Sequence, residues 1–192
     1  MDEPSLERSS LGRRIVIVGP SCSGKSTLAS QLASVIGADF IEMDALFWKP
    51  NWEAPDDEEF QARLKSRHEA EAWVSAGNYL RHTRHTVWPR AETVIWLDFP
   101  LYTTCRRVIA RSWRRWRNRE LLWGTNTERF WDQLVVWSPQ RSLIAYNVSR
   151  HRRNRELFLQ AMTDPEFANT RFIRLTSAAE VRALLRGVAR RS

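Results

Sequence analysis

RRIVIVGPSCSGKST, residues 13–27, decides the fold. Its first half is a short β-branched run closed by Gly19, which reads as a strand. Beyond it, Leu28, Leu32 and Val35 recur at helical spacing, so Ser26 to Val35 reads as a helix. Strand, tight loop and helix is the context in which the nine residues between, GPSCSGKST, carry meaning. They fit G-x-x-x-x-G-K-[ST], in which glycines let the backbone curl around phosphate groups. Gly19, Ser21, Cys22, Ser23, Gly24, Lys25, Ser26 and Thr27 are therefore the expected nucleotide contacts. The amides from Ser21 to Ser26 are expected to point at a β-phosphate, aided by the positive end of the helix. Lys25 would reach the β- and γ-phosphates, the Ser26 hydroxyl would ligate Mg²⁺, and Thr27 would meet the α-phosphate side. Cys22 is expected only as a small residue of this loop.

Working outward, four further strand-like runs follow: Asp39 to Met43, Ala72 to Ala76, Thr93 to Leu97 and Arg171 to Leu175. Helical patterns separate them, one starting at Pro55-Asp56-Asp57 and a last one at Ser177. The alternation predicts an α/β fold in three layers, a five-stranded parallel sheet with helices on both faces, and ligands at the carboxyl ends of the strands. Gly19, Asp44, Gly77 and Asp98 fall at those ends. Between the last two strands, a long helical stretch is expected from Leu101 to about Met162, with Pro139 starting a new helix after Ser138.

The chain has 192 residues, 43% of them hydrophobic, with ten tryptophans, enough for one domain with a well-buried core. Residues 1–12 lack apolar periodicity and read as a flexible lead-in. No run approaches the roughly 20 apolar residues of a membrane span, and the polar start points to the cytoplasm. Cys22 and Cys105 have neither disulfide-framework nor metal-ligand spacing and are expected as free thiols. The net charge is +8 with only three lysines, Lys25, Lys49 and Lys65. Such an arginine-rich surface suits either a polyphosphate or a nucleic-acid backbone, and composition does not choose.

MDALFW, SAGNY, WLDFPL followed by RRVIAR, and LLWGTNTERFW, in this order, resemble a bacterial adenylate-kinase-like P-loop family whose members include DNA topology modulation (FlaR-like) proteins. The resemblance runs from residue 13 to about residue 176. It implies ATP and Mg²⁺ as ligands and a helical lid over about residues 112–128, with an acceptor-side insert over about residues 44–70. Arg107 and Arg111 match the R-x-x-x-R pair that the family sets beside the adenine and polyphosphate. The resemblance also implies that Asp44 faces the phosphoryl acceptor, and that an arginine after the lid, among Arg150, Arg152, Arg153 and Arg155, faces the transferred group. SAGNY departs from the adenylate-kinase sequence at the AMP site, and the lid lacks zinc-binding cysteines.

Lys25, Asp44, Arg107, Arg111 and Arg115 are thus the candidate catalytic residues, since phosphoryl transfer needs positive charge around the migrating group. Arg114, Arg117 and Arg119 could add to that charge. Asp44, Trp48, Gly77, Asn78, Arg81 and Arg84 are candidates for the acceptor, with Trp52 a second stacking surface, and Ser26 and Asp98 for the metal. Plainer readings stand beside these: the arginines as a solvated helix face, the tryptophans as core, the aspartates as caps of nearby amides. The function expected is transfer of the γ-phosphoryl of Mg-ATP to a nucleotide, nucleoside or small-molecule acceptor. The alternatives are an ATP-regulated protein associated with nucleic acid, through weak nonspecific binding, and a simple ATPase.

Overall fold

A computed structural model describes residues 11–190. Five parallel strands form the sheet: β1 (Arg14–Val18), β2 (Asp39–Glu42), β3 (Trp73–Ala76), β4 (Thr93–Leu97) and, last in the chain, β7 (Arg171–Leu175), in the order β2-β3-β1-β4-β7. In register, Ile17 lies between Ala76 and Ile95. Every residue of β3 and β4 is buried, the mark of a parallel sheet covered on both faces.

Alternate side chains feed two cores. On one face Ile15, Ile17, Val74, Ile95 and Leu97 pack against α1 (Lys25–Ile36) and α7 (Ala178–Ala189). On the other, Val16, Val18, Trp73, Val94 and Trp96 pack with Phe60 and Leu64 of α3 (Asp57–Arg67) and Phe158 of α6 (Leu143–Ala161). The predicted strands and the architecture match this arrangement. The helix start at Pro55-Asp56-Asp57 does too: the Asp56 carboxylate accepts from the Glu59 N–H at 2.7 Å.

Of the predicted lead-in over residues 1–12, residues 1–10 lie outside the described residues. Leu11 is in the core, and its carbonyl accepts from the Thr93 hydroxyl at 2.6 Å.

The stretch between β4 and β7 is not continuously helical, which corrects the reading of a helical lid. The helix α5 (Leu101–Arg117) stops at Asn118, and positive φ angles at Arg119 (48°), Trp123 (51°) and Gly124 (77°) turn the chain into a hairpin of β5 (Leu121–Leu122) and β6 (Asn126–Thr127). A 3₁₀ turn, Phe130–Leu134, follows. Pro139 does not start the next helix. It sits in a turn closed by Ser142 N–H to Ser138 O (2.9 Å), and α6 begins four residues later than expected, where Ser142 Oγ caps Ala145 N–H (3.2 Å). Capping chemistry outweighs the preference of proline for a first turn.

The hairpin is fastened to the segment after β2. There α2 (Met43–Phe47) leads into a loop gripped by Asn126 of β6, which is itself buried, donates to Lys49 O (3.0 Å) and accepts from Trp52 N–H (3.0 Å). The Trp52 indole donates to Thr127 O (3.0 Å). Among the described residues, no helix is long and apolar enough to cross a membrane.

Candidate functional site

The loop from Gly19 to Gly24 lies at the carboxyl end of β1, between the ends of β3 and β4, where open α/β sheets bind ligands. Gly19 has φ 146°, and a Cβ there would stand 2.6 Å from Leu97 O, so no other residue fits. Two asparagines grip the loop. Asn78 accepts from Gly19 N–H (2.9 Å) and donates to Gly19 O. Asn147 accepts from Ser21 N–H (3.0 Å) and donates to Ser21 O (3.2 Å). Ser23 N–H closes a turn onto Pro20 O (3.1 Å). The N–H groups of Cys22, Gly24, Lys25 and Ser26 form no hydrogen bond among the described residues and open α1 as an anion-binding nest.

The Lys25 ammonium donates to Gly19 O and Pro20 O, both at 2.9 Å. Burial lowers its pKa from the ordinary lysine value, the nearby charge of Arg111 adds to that, and Asp44 and Glu42 oppose it. A phosphate placed here would relieve that desolvation. Burial likewise raises the Cys22 thiol, against Arg111, Lys25 and Arg115. These mutual influences place Lys25, Cys22, Arg111, Asp44 and Glu42 around one space.

Ser26 Oγ donates to Glu42 Oε1 (2.9 Å), and the Trp123 indole of the hairpin donates to Glu42 Oε2 (3.0 Å). Asp44 accepts from the hydroxyl of the half-buried Tyr79 (2.7 Å). Burial first, and Asp44 second, push the Tyr79 pKa far above the ordinary phenol value, so Tyr79 stays a donor. Trp48 and Trp52 meet edge to face at 5.4 Å, and Trp52 meets Trp123 at 5.7 Å, a wall of rings from the post-β2 loop to the hairpin. Gly77 supports this corner by sterics: a Cβ there would lie 2.6 Å from Met43 Cβ.

Of the arginine pair, Arg107 donates to Ser23 O (3.2 Å) and lies over the Phe99 ring. Arg111 and Arg115 converge on Glu128, at 4.0 and 3.1 Å, and Ser112 and Gln133 also donate to that carboxylate. Neither Arg111 Nε nor Arg115 Nε has a hydrogen-bond partner, although both are buried.

Asn78, expected at the acceptor, uses its side-chain amide on Gly19 instead, and three further sequence candidates are engaged elsewhere. Asp98 takes ion pairs from Arg155 (3.1 Å) and Arg174, which leaves Glu42 as the carboxylate in contact with Ser26. Arg81, on the short α4 (Leu80–Thr83), is exposed and paired with Asp57 (2.9 Å). Arg84 is held by Asp164 and Glu166 and lies over Phe167. The sequence reading missed Glu42, Glu128 and Asn147. Only Glu42 had a local cue, its place two residues before Asp44 at a strand end.

Compared with known proteins, residues 15–164 match a family described as the AAA domain. The chain belongs to this family. No curated protein matches the chain. Among solved structures, this AAA domain is similar to shikimate kinase from Acinetobacter baumannii in complex with shikimate, at 19% identity and a TM-score of 0.51, covering 92% of this chain and 90% of that one. A gluconokinase from Sinorhizobium meliloti 1021 is matched at 22% identity and a TM-score of 0.49, covering 95% and 94%. At such identities the shikimate kinase likeness supports a common fold, the three-layer α/β P-loop fold.

Proposed function

We propose that the protein is an ATP-dependent phosphotransferase acting on a small hydroxyl-bearing acceptor. The observation that supports this reading is that Ser26, next to Lys25, donates to Glu42, two residues before Asp44, while Asp44 is itself held by Tyr79. A water-directed ATPase has no need of such an acceptor corner.

In this reading the phosphates lie on the free amides of Cys22, Gly24, Lys25 and Ser26, with Lys25 and Arg111 countering charge on the migrating group. The acceptor oxygen attacks the γ-phosphorus, the bond from that phosphorus to the β–γ bridging oxygen breaks, ADP leaves, and Asp44 takes the hydroxyl proton. Ser26 and Glu42 offer the oxygen donors that Mg²⁺ prefers. When bound there, Mg²⁺ supplies positive charge to the phosphates. The shared fold is that of a kinase bound to shikimate in the Acinetobacter protein, which is compatible with a small acceptor. An adenylate-kinase-type AMP site is less well served, because Arg81 and Arg84 are already paired with carboxylates.

The test is ADP formation from Mg-ATP across a panel of nucleosides, nucleotides and polyols, beside Lys25→Ala and Asp44→Asn. Acceptor-stimulated turnover is expected to vanish in the first and to fall about 10²- to 10⁴-fold in the second. Turnover indifferent to every acceptor and to Asp44→Asn would overturn the reading. A second reading, ATP-regulated association with nucleic acid, has one observation in its favour. Trp113, Trp116 and Trp131 are exposed beside Arg114, Arg117, Arg119 and Arg129, which form no ion pair among the described residues. Preference for single strands over duplex at raised salt would support it.

A further inference from the structure

Most of the buried polar side chains outside the sheet belong to the lid segment and its flanks: Ser112, Asn126, Gln133, Ser142 and Asn147. An interior amide or hydroxyl is tolerated only where it is fully partnered, so a connected set of them specifies one arrangement of the backbone. Four of these form a route from the cradle to the lid base. Asn147 holds both the N–H and the C=O of Ser21. It stands in the second turn of α6, whose start is fixed by Ser142, and Ser142 Oγ donates to Gln133 O (2.9 Å). The Gln133 side chain accepts from Leu143 N–H (2.9 Å) and donates to Glu128 (3.4 Å). Glu128 in turn collects Ser112, Arg115 and Arg111 of α5, and one turn earlier on that helix Arg107 donates to Ser23 O (3.2 Å). The route therefore starts and ends at the cradle and passes through the segment between α5 and α6.

Building on the nucleotide-binding reading above, we infer that Asn147 is a positioning residue that couples occupancy of the cradle to ordering of residues 118–142. Asn147 grips residue 21 and leaves the amides of Cys22, Gly24, Lys25 and Ser26 to the ligand, so it shapes the cradle without competing for phosphate. A side chain serving only to seat α6 would need no paired contact with a loop 126 residues away. Asn78 offers an internal contrast. It makes the same two-point grip on Gly19, but it stands two residues beyond the end of β3, and among the described residues its side chain forms no hydrogen bond to the lid.

Hydrogen–deuterium exchange of the full chain, with and without saturating Mg-ATP, reads both regions at once. In the unaltered protein, ATP is expected to slow exchange over residues 19–27 and, by about tenfold or more, over residues 118–134. Asn147→Ala should keep the cradle protection at saturation and lose the lid protection, to within about twofold of the ligand-free rate. Gln133→Ala, which does not touch the cradle, should behave alike, and it serves if Asn147→Ala folds poorly. Asn78→Ala should weaken affinity yet retain both protections at saturation. Full lid protection in Asn147→Ala or Gln133→Ala would overturn the inference, as would its loss in Asn78→Ala. Absence of cradle protection in the unaltered protein would refute nucleotide binding itself, and this inference with it. Since no turnover is measured, failure of the phosphotransferase reading alone leaves the result interpretable.

Discussion

Gly77→Ala tests how tightly the acceptor corner is built. Gly77 needs no left-handed backbone; its constraint is space. The added Cβ would stand 2.6 Å from Met43 Cβ, 2.7 Å from Sδ and 2.9 Å from Cγ. Ordinary contact begins near 3.4 Å, so the ends of β2 and β3 must part by about 0.8 Å at a point where Met43 is fully buried. Overpacking of this kind costs about 1–3 kcal/mol, which in a chain of this size lowers Tm by about 3–10 °C. Because Met43 lies between Glu42 and Asp44, the same displacement moves both carboxylates, and nucleotide and acceptor affinities should fall with stability. Differential scanning calorimetry and calorimetric titration with Mg-ATP measure the two effects. Met43→Ala removes Sδ and Cγ but keeps the Cβ, so the double variant should remain less stable than Met43→Ala alone. A Gly77→Ala protein with unchanged Tm and affinity would refute the argument.

Three other outcomes are expected. His68 is buried between Leu64 O and Ser75 Oγ, and desolvation lowers its pKa to about 4. Between pH 6.5 and 4 the unfolded chain therefore binds the extra proton, and stability should fall by about 3 kcal/mol as pH drops through that window; urea midpoints should show this fall flattened in His68→Phe. Asn126→Ala strips both bonds between the hairpin and the loop at Lys49 and Trp52, so the Trp52 amide should exchange about 10- to 100-fold faster without ligand. Asp98→Asn should lower Tm through its two arginines while the Mg²⁺ dependence of nucleotide binding stays unchanged, whereas Glu42→Gln should shift that Mg²⁺ dependence; the reverse pattern would return the metal to Asp98.

What could be read from the sequence was local. The five strands and the cradle announce themselves within a few residues, because β-branched runs, glycines and Lys25-Ser26 act through backbone geometry. The residues that position the cradle do not: Asn78 and Asn147 lie 59 and 126 residues from their partners. Charge pairing was equally hidden. Arg84 and Asp98 carry the chemistry of a site, yet the fold spends them on Asp164, Arg155 and Arg174. The lid was misread because helix-forming arginines and tryptophans mask the stop at Asn118, and because Pro139 looks like a helix start while Ser142 provides the cap.

The fastening of the hairpin to the loop after β2 has a kinetic meaning. Three hydrogen bonds hold it there, and Trp123 reaches past the loop to Glu42. A molecule approaching Asp44 from that side has to wait until these contacts break together, so its association is a two-step event. In stopped-flow mixing the observed rate should climb with ligand concentration and then level off at the rate of opening, a ceiling set by the protein alone.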